Sequence, residues 1–213
     1  MMSRANDGAA QTGPVVPADG RNRRAAETRR KIIEAAKLMI AETSEAPTVV
    51  GVARRADVSV RSVFQHFHDV QSLFVTVHDS IRAELAIPEA PACSNPMAAR
   101  IDAFVQELTA IYDKVVPLKV ASGQFATHPA VIERSQESRR RLREGVFETF
   151  GPELSGLAAH DREGLVDAIL AAFSVDAWTV LRRRDGLSLE RAQAAWKLTL
   201  TALLAQALGG AQG

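Results

Sequence analysis

Residues 48–66 read Thr48-Val49-Val50-Gly51-Val52-Ala53-Arg54-Arg55-Ala56-Asp57-Val58-Ser59-Val60-Arg61-Ser62-Val63-Phe64-Gln65-His66. Two short helices joined by a tight turn account for this stretch. Thr48 is a good N-cap, and Val49, Val52 and Ala53 supply an apolar face behind it. Ala56-Asp57-Val58 is the turn. Ser59 caps a second helix that runs to about His66, with Val63 and Phe64 inward and Arg61, Ser62 and Gln65 outward. Two helices of about two turns, joined by three or four residues, let the second lie in a DNA major groove while the first braces it. Thr48 and Ser59 stand at helix N-termini, where free N–H groups and the positive dipole end suit phosphate. Among base readers, Arg61 suits guanine and Gln65 suits adenine.

Working upstream, Arg21, Arg23, Arg24, Arg29, Arg30 and Lys31 are opposed only by Glu27. Apolar residues then recur at Ile32, Ile33, Ala35, Ala36, Met39 and Ile40, which predicts a helix from about Ala26 to Glu42. Residues 1–20, with Gly8, Gly13, Pro14, Pro17 and Gly20, read as a disordered tail. Downstream, Asp69 caps a longer helix through Leu73, Phe74, Val77, Ile81 and Leu85. Pro88, Pro91 and Pro96 fall within nine residues and mark residues 88–96 as a linker. Beyond it the chain reads as all-α. The expected helices are Met97 to Val116, Leu118 to about Ala126, Ala130 to about Phe150, Asp161 to Arg184, and Ser188 to Leu208. The expected organisation is a tail (1–20), a helix-turn-helix unit (21–87), the linker and a helical body (97–213).

Several motifs keep both identity and spacing with a known family. Thr28-Arg29-Arg30-Lys31-Ile32-Ile33-Glu34-Ala35-Ala36, Thr48-Val49-Val50-Gly51-Val52-Ala53, Val58-Ser59, Phe64-Gln65-His66-Phe67 and Leu73-Phe74 together resemble the N-terminal region of TetR-family transcriptional regulators. The resemblance covers about residues 21–85. It implies an all-α fold with an N-terminal three-helix DNA-binding domain and a C-terminal ligand-binding and dimerisation domain. It implies that Thr48 meets a phosphate and that Ser59, Val60, Arg61, Ser62, Phe64, Gln65 and His66 belong to the recognition helix. Arg21, Arg23 and Arg24 would be a basic arm touching phosphates or the minor groove. Four residues depart from the family pattern, among them Arg61, which stands where a small residue is common. Asp57 stands where glycine is usual, and aspartate tolerates a left-handed turn. Phe64 replaces a tyrosine, which keeps packing and loses a phosphate bond. Val70 replaces a lysine and removes another backbone contact.

The resemblance also implies a homodimer reading a pseudo-palindromic double-stranded DNA operator and released by a small-molecule effector. Repression is the expected mode. The broad apolar faces of the last two helices predict dimerisation through Phe173, Trp178, Trp196, Leu200 and Leu203. Effector candidates on the middle helices are Phe104, Leu108, Tyr112, Phe125, Phe147 and Phe150, with Gln124 and His128 as polar partners. A helical dimeric interaction or ligand-sensing protein with weakened DNA binding is the alternative reading.

Composition bounds the rest. The chain has 213 residues, 46% of them hydrophobic and 24% charged, which matches a globular protein. The single cysteine, Cys93, cannot form an internal disulfide. No run of about 20 apolar residues and no secretory leader is read, so a cytoplasmic protein without membrane partners is expected. His66 and His68 lack further ligands for a metal, and no cofactor motif or catalytic set is visible, so an enzyme is not expected. The formal charge of +1 is an average: residues 21–68 carry ten Lys or Arg against five Asp or Glu, and residues 69–213 carry fifteen against eighteen.

Overall fold

A computed structural model describes residues 18–85 and 93–210. Among them the regular structure is entirely helical. Helix α1 (Ala18–Thr43) leads into α2 (Val49–Arg55), α3 (Val60–His66) and α4 (Val70–Ala83). The body follows as α5 (Met97–Ala121), a 3₁₀ turn (Ser122–Phe125), α6 (Pro129–Ser155), α7 (Ala159–Ala172), α8 (Val175–Thr179), a π turn (Val180–Arg184) and α9 (Leu189–Gly210).

Four boundaries differ from the sequence reading. Helix α1 starts at Ala18 rather than about Ala26. Alanine and arginine dominate residues 21–26 and are strong helix formers, so nothing stops the helix there. Residues 18–20 are therefore helical, and the rest of the expected tail lies outside the described residues, as do linker residues 88–92. Helix α5 runs through Pro117, which was expected to end it. Proline forfeits one backbone hydrogen bond, but Val116, Leu118 and Ala121 around it are all buried. Packing outweighs local preference at this point. Helix α6 does break at Phe150 (φ −116°, ψ 19°), then resumes through Pro152 to Ser155. The expected single helix from Asp161 to Arg184 is divided at Phe173, and the Ser174 hydroxyl caps the second piece by accepting from Ala177 N.

Two apolar clusters hold the molecule together. In the first, Ile32, Ala35, Ala36 and Ile40 of α1 meet Val52, Ala53 and Val63 of the short helices and Leu73, Phe74 and Val77 of α4. This cluster does not close on itself. Leu118, Ala121, Phe125 and Val131 of the body complete it, and the Phe74 and Phe125 rings lie 4.5 Å apart. The second cluster fills the body, centred on Phe104, Val146, Phe150, Ile169, Phe173, Trp178, Trp196 and Leu200. Polar clasps join the two halves. Arg134 of α6 pairs with Asp79 of α4, and Arg82 of α4 donates to the Arg134 carbonyl at 3.1 Å.

The run Ala159–Arg184 is long and apolar enough by composition to cross a membrane, against the expectation that the chain holds no such run. A break at Phe173 divides it, and Leu165, Val166, Ile169, Leu170 and Trp178 are buried in the body cluster. Only 33% of its most apolar stretch is buried within one chain.

Candidate nucleic-acid interface

The caps of the short helices form as their residue types require. The Thr48 hydroxyl accepts from Gly51 N at 3.1 Å, and the Ser59 hydroxyl accepts from Ser62 N at 3.0 Å. Between them α2 ends with Asp57 in the left-handed region (φ 54°). Val58 N donates to the Ala53 carbonyl at 3.0 Å, which closes the last turn of α2. Asp69 caps α4 reciprocally: Ser72 N donates to its carboxylate at 2.7 Å, while Asp69 N donates to the Ser72 hydroxyl at 3.2 Å. These bonds hold the Asp69 carboxyl below the usual aspartate range. Sequence-local chemistry thus fixes both ends of the turn and the exit from α3.

Tertiary contacts set the height of α3. Val63 on its inner face and Phe67 at its C-cap are 1% and 4% exposed. Arg29 of α1 lies over the Phe67 ring, 4.9 Å from its centre. Arg55 of α2 pairs with Glu42 of α1 through two bonds of 2.6 Å.

Phe64 does not face inward as expected. It is 52% exposed. One residue beyond Val63 is a rotation of about 100°, and the inner line is already taken by Val63 and Phe67. The outward surface of α3 therefore carries Val60, Arg61, Phe64 and Gln65, with Ser62 and His66 half-buried at its margins. Among the described residues no carboxylate pairs with Arg61 or with the exposed Arg54. Arg21, Arg23 and Arg24 are exposed on the first turns of α1. They belong to a helix rather than to an extended arm.

The expected effector residues do not converge on one place. Phe104, Leu108, Tyr112, Phe147 and Phe150 pack in the body cluster. Phe104 meets Phe150 edge-on at 5.5 Å, and the Tyr112 hydroxyl donates to the Phe173 carbonyl at 3.0 Å. Burial, aided by the Asp176 charge, pushes the Tyr112 phenol up. Phe125 belongs to the other cluster, beneath α4. Gln124 is exposed. The His128 ring caps α6, with Nδ1 accepting from Ala130 N at 3.2 Å. Two surface depressions on α6 are lined mainly by charged groups, among them Arg139, Arg143 and Asp167 in one and Arg82, Arg134 and Glu137 in the other. None of the eight expected residues lines either.

Four of the five expected dimer residues are enclosed within the single chain. Phe173, Trp178, Trp196 and Leu200 are 0%, 0%, 3% and 0% exposed within a single chain, and Leu203 is partly buried. Trp196 lies 4.6 Å from Trp178 and 4.8 Å from Phe173. The Trp178 indole N–H donates to Asp113 at 2.9 Å, and Arg182 donates to the same carboxylate at 3.0 Å. Side chains so enclosed have no surface to offer a second copy. The outer face of α9 instead carries Ala194, Leu198, Thr201, Ala202 and Ala205, with Leu198 73% exposed. Periodicity marks both faces as apolar, so sequence could not tell core from exterior.

No protein-family model matches the chain, and no curated protein matches it by sequence. Its fold is similar to that of a solved transcriptional regulator from Rhodococcus sp. Rha1, with a TM-score of 0.62 and 20% identity over 84% of this chain and 96% of that one. That likeness shows a shared all-α fold. A TetR variant from Acinetobacter baumannii AYE, solved in complex with minocycline, is more distant, with a TM-score of 0.44, 17% identity, and 82% and 93% of the two chains covered.

Proposed function

We propose that the chain is a DNA-binding transcriptional regulator that acts as a homodimer and inserts α3 into the major groove. The observation that carries this reading is the outward set on α3, in which exposed Arg61 and Gln65 crown a helix tied down by Val63 and Phe67. Residues 21–87 are assigned the reading role and residues 97–213 the sensing and dimerising role. Arg61 and Gln65 are assigned to base edges. Thr48, Ser59, Ser62 and His66 are assigned to the phosphate margin, and Arg21, Arg23 and Arg24 to the flanking backbone. The excess of basic residues in 21–68 supports an electrostatic approach to the duplex.

The dimer is assigned to the outer faces of α7 and α9, through Leu198 and the small residues around it. Incomplete burial of the apolar run Ala159–Arg184 supports that assignment. Phe104, Leu108, Tyr112, Phe147 and Phe150 are assigned to an apolar effector with one polar group. Such a ligand enters by displacing packing, so occupancy and helix position are linked, and it shifts DNA affinity only by its differential affinity for the two arrangements. Repression in the cytoplasm, relieved by that effector, is the regulatory mode we assign. A mobility-shift titration of the full chain with DNA flanking its own coding region tests the reading. A specific shift that weakens steeply with salt is expected. No shift above nonspecific competitor at low salt overturns it.

A further inference from the structure

We propose that Val60 and Phe64 read the C5-methyl groups of thymine, so that each half-site carries thymine beneath α3. The inference rests on the DNA-reading role of α3 and deepens it.

Val60 and Phe64 are 39% and 52% exposed. Four residues apart on a helix, they stand side by side on one face. Neither side chain has a donor or acceptor, so neither can bind a phosphate or a base edge through a side-chain hydrogen bond. The apolar pair is interleaved with the exposed Arg61 and Gln65 and lies in the basic segment 21–68. That charge complements a polyanion. The major groove offers one apolar group on its base edges, the thymine methyl. A phenyl and an isopropyl group between two polar readers match a base pair that presents a methyl beside an acceptor.

Selection of the full chain against random-sequence duplexes supplies the probe, the most enriched duplex. Each thymine in it is then replaced singly by deoxyuridine, which removes only the methyl. One or two positions in each half-site should weaken binding roughly four-fold each, the worth of one buried methyl group. Phe64→Ala should bind the thymine and uracil duplexes equally at the position that Phe64 reads, and Phe64→Leu should keep part of the preference. Both side chains are exposed, and circular dichroism checks that the variants stay folded. Full tolerance of uracil at every position overturns the proposal. So does an unchanged thymine preference in both Val60→Ala and Phe64→Ala. A Phe64→Ala variant that alters self-association and leaves the thymine-to-uracil ratio intact makes Phe64 a protein contact, and that also overturns it. If no duplex is enriched at all, the DNA-reading role itself fails, which is a distinguishable result.

Discussion

His78 of α4 carries a buried Nδ1 with no hydrogen-bond partner. Burial first, then the Arg82 and Arg134 charges, lower its pKa to about 4, while Asp79 opposes them. In the unfolded chain the imidazole titrates near the ordinary histidine value of about 6.5. Between those two values the unfolded state binds more protons, so the neutral ring's contribution is complete above about pH 6.5 and is lost as pH falls toward 4. Urea midpoints measured from pH 7 to 4.5 should therefore fall more steeply for the natural chain than for His78→Leu; parallel profiles contradict this. Arg61→Ala should cost about 1–3 kcal/mol of DNA affinity, concentrated at one operator position. Competition against single-base operator variants reads that out, and a loss uniform across sequences makes Arg61 a phosphate contact instead. At this scale the sequence was most legible where chemistry is local. Thr48, Ser59 and Asp69 cap as their types dictate, and Asp57 takes the left-handed turn. The direction of Phe64 was not legible, because the inner face of a two-turn helix is chosen by what Val63 and Phe67 find beneath them.

Helix existence was legible from periodicity, and helix limits were not. The α1 start, the passage of α5 through Pro117 and the division at Phe173 are each settled by packing or by continued helix-forming sequence. The 3₁₀ turn after α5 has the largest consequence. Phe125 lies in the C-terminal half of the chain yet packs on Phe74 in the N-terminal cluster. Phe125→Ala should cost about 3–5 kcal/mol through the cavity it leaves. Hydrogen exchange should register the loss in α1 and α4 as well as in α5. Protection lost in the body alone, with α1 and α4 unaffected, contradicts the shared core. The helix that follows α3 is thus joined to the body both by this shared core and by the pair of Asp79 in α4 with Arg134 in α6.

For the whole molecule, the fold class was legible because the N-terminal motifs carry it, and the exterior was not. Trp178, Trp196 and Leu198 are equally apolar in sequence, but the first two are enclosed and the third is exposed. Leu198→Glu should leave the monomer folded and weaken self-association at least about tenfold, since a carboxylate would be desolvated against its copy. Sedimentation velocity measures this, and an unchanged dimer places the interface elsewhere. Charge follows the same division, with the basic excess confined to the segment that contains α2 and α3. The proposed reading of two half-sites by two copies of α3 is checked by hydroxyl-radical footprinting of the full chain on the DNA it selects. Two protected tracts are expected, with centres about 10 base pairs, or a multiple of that, apart. Uniform protection along the duplex, or none, contradicts it.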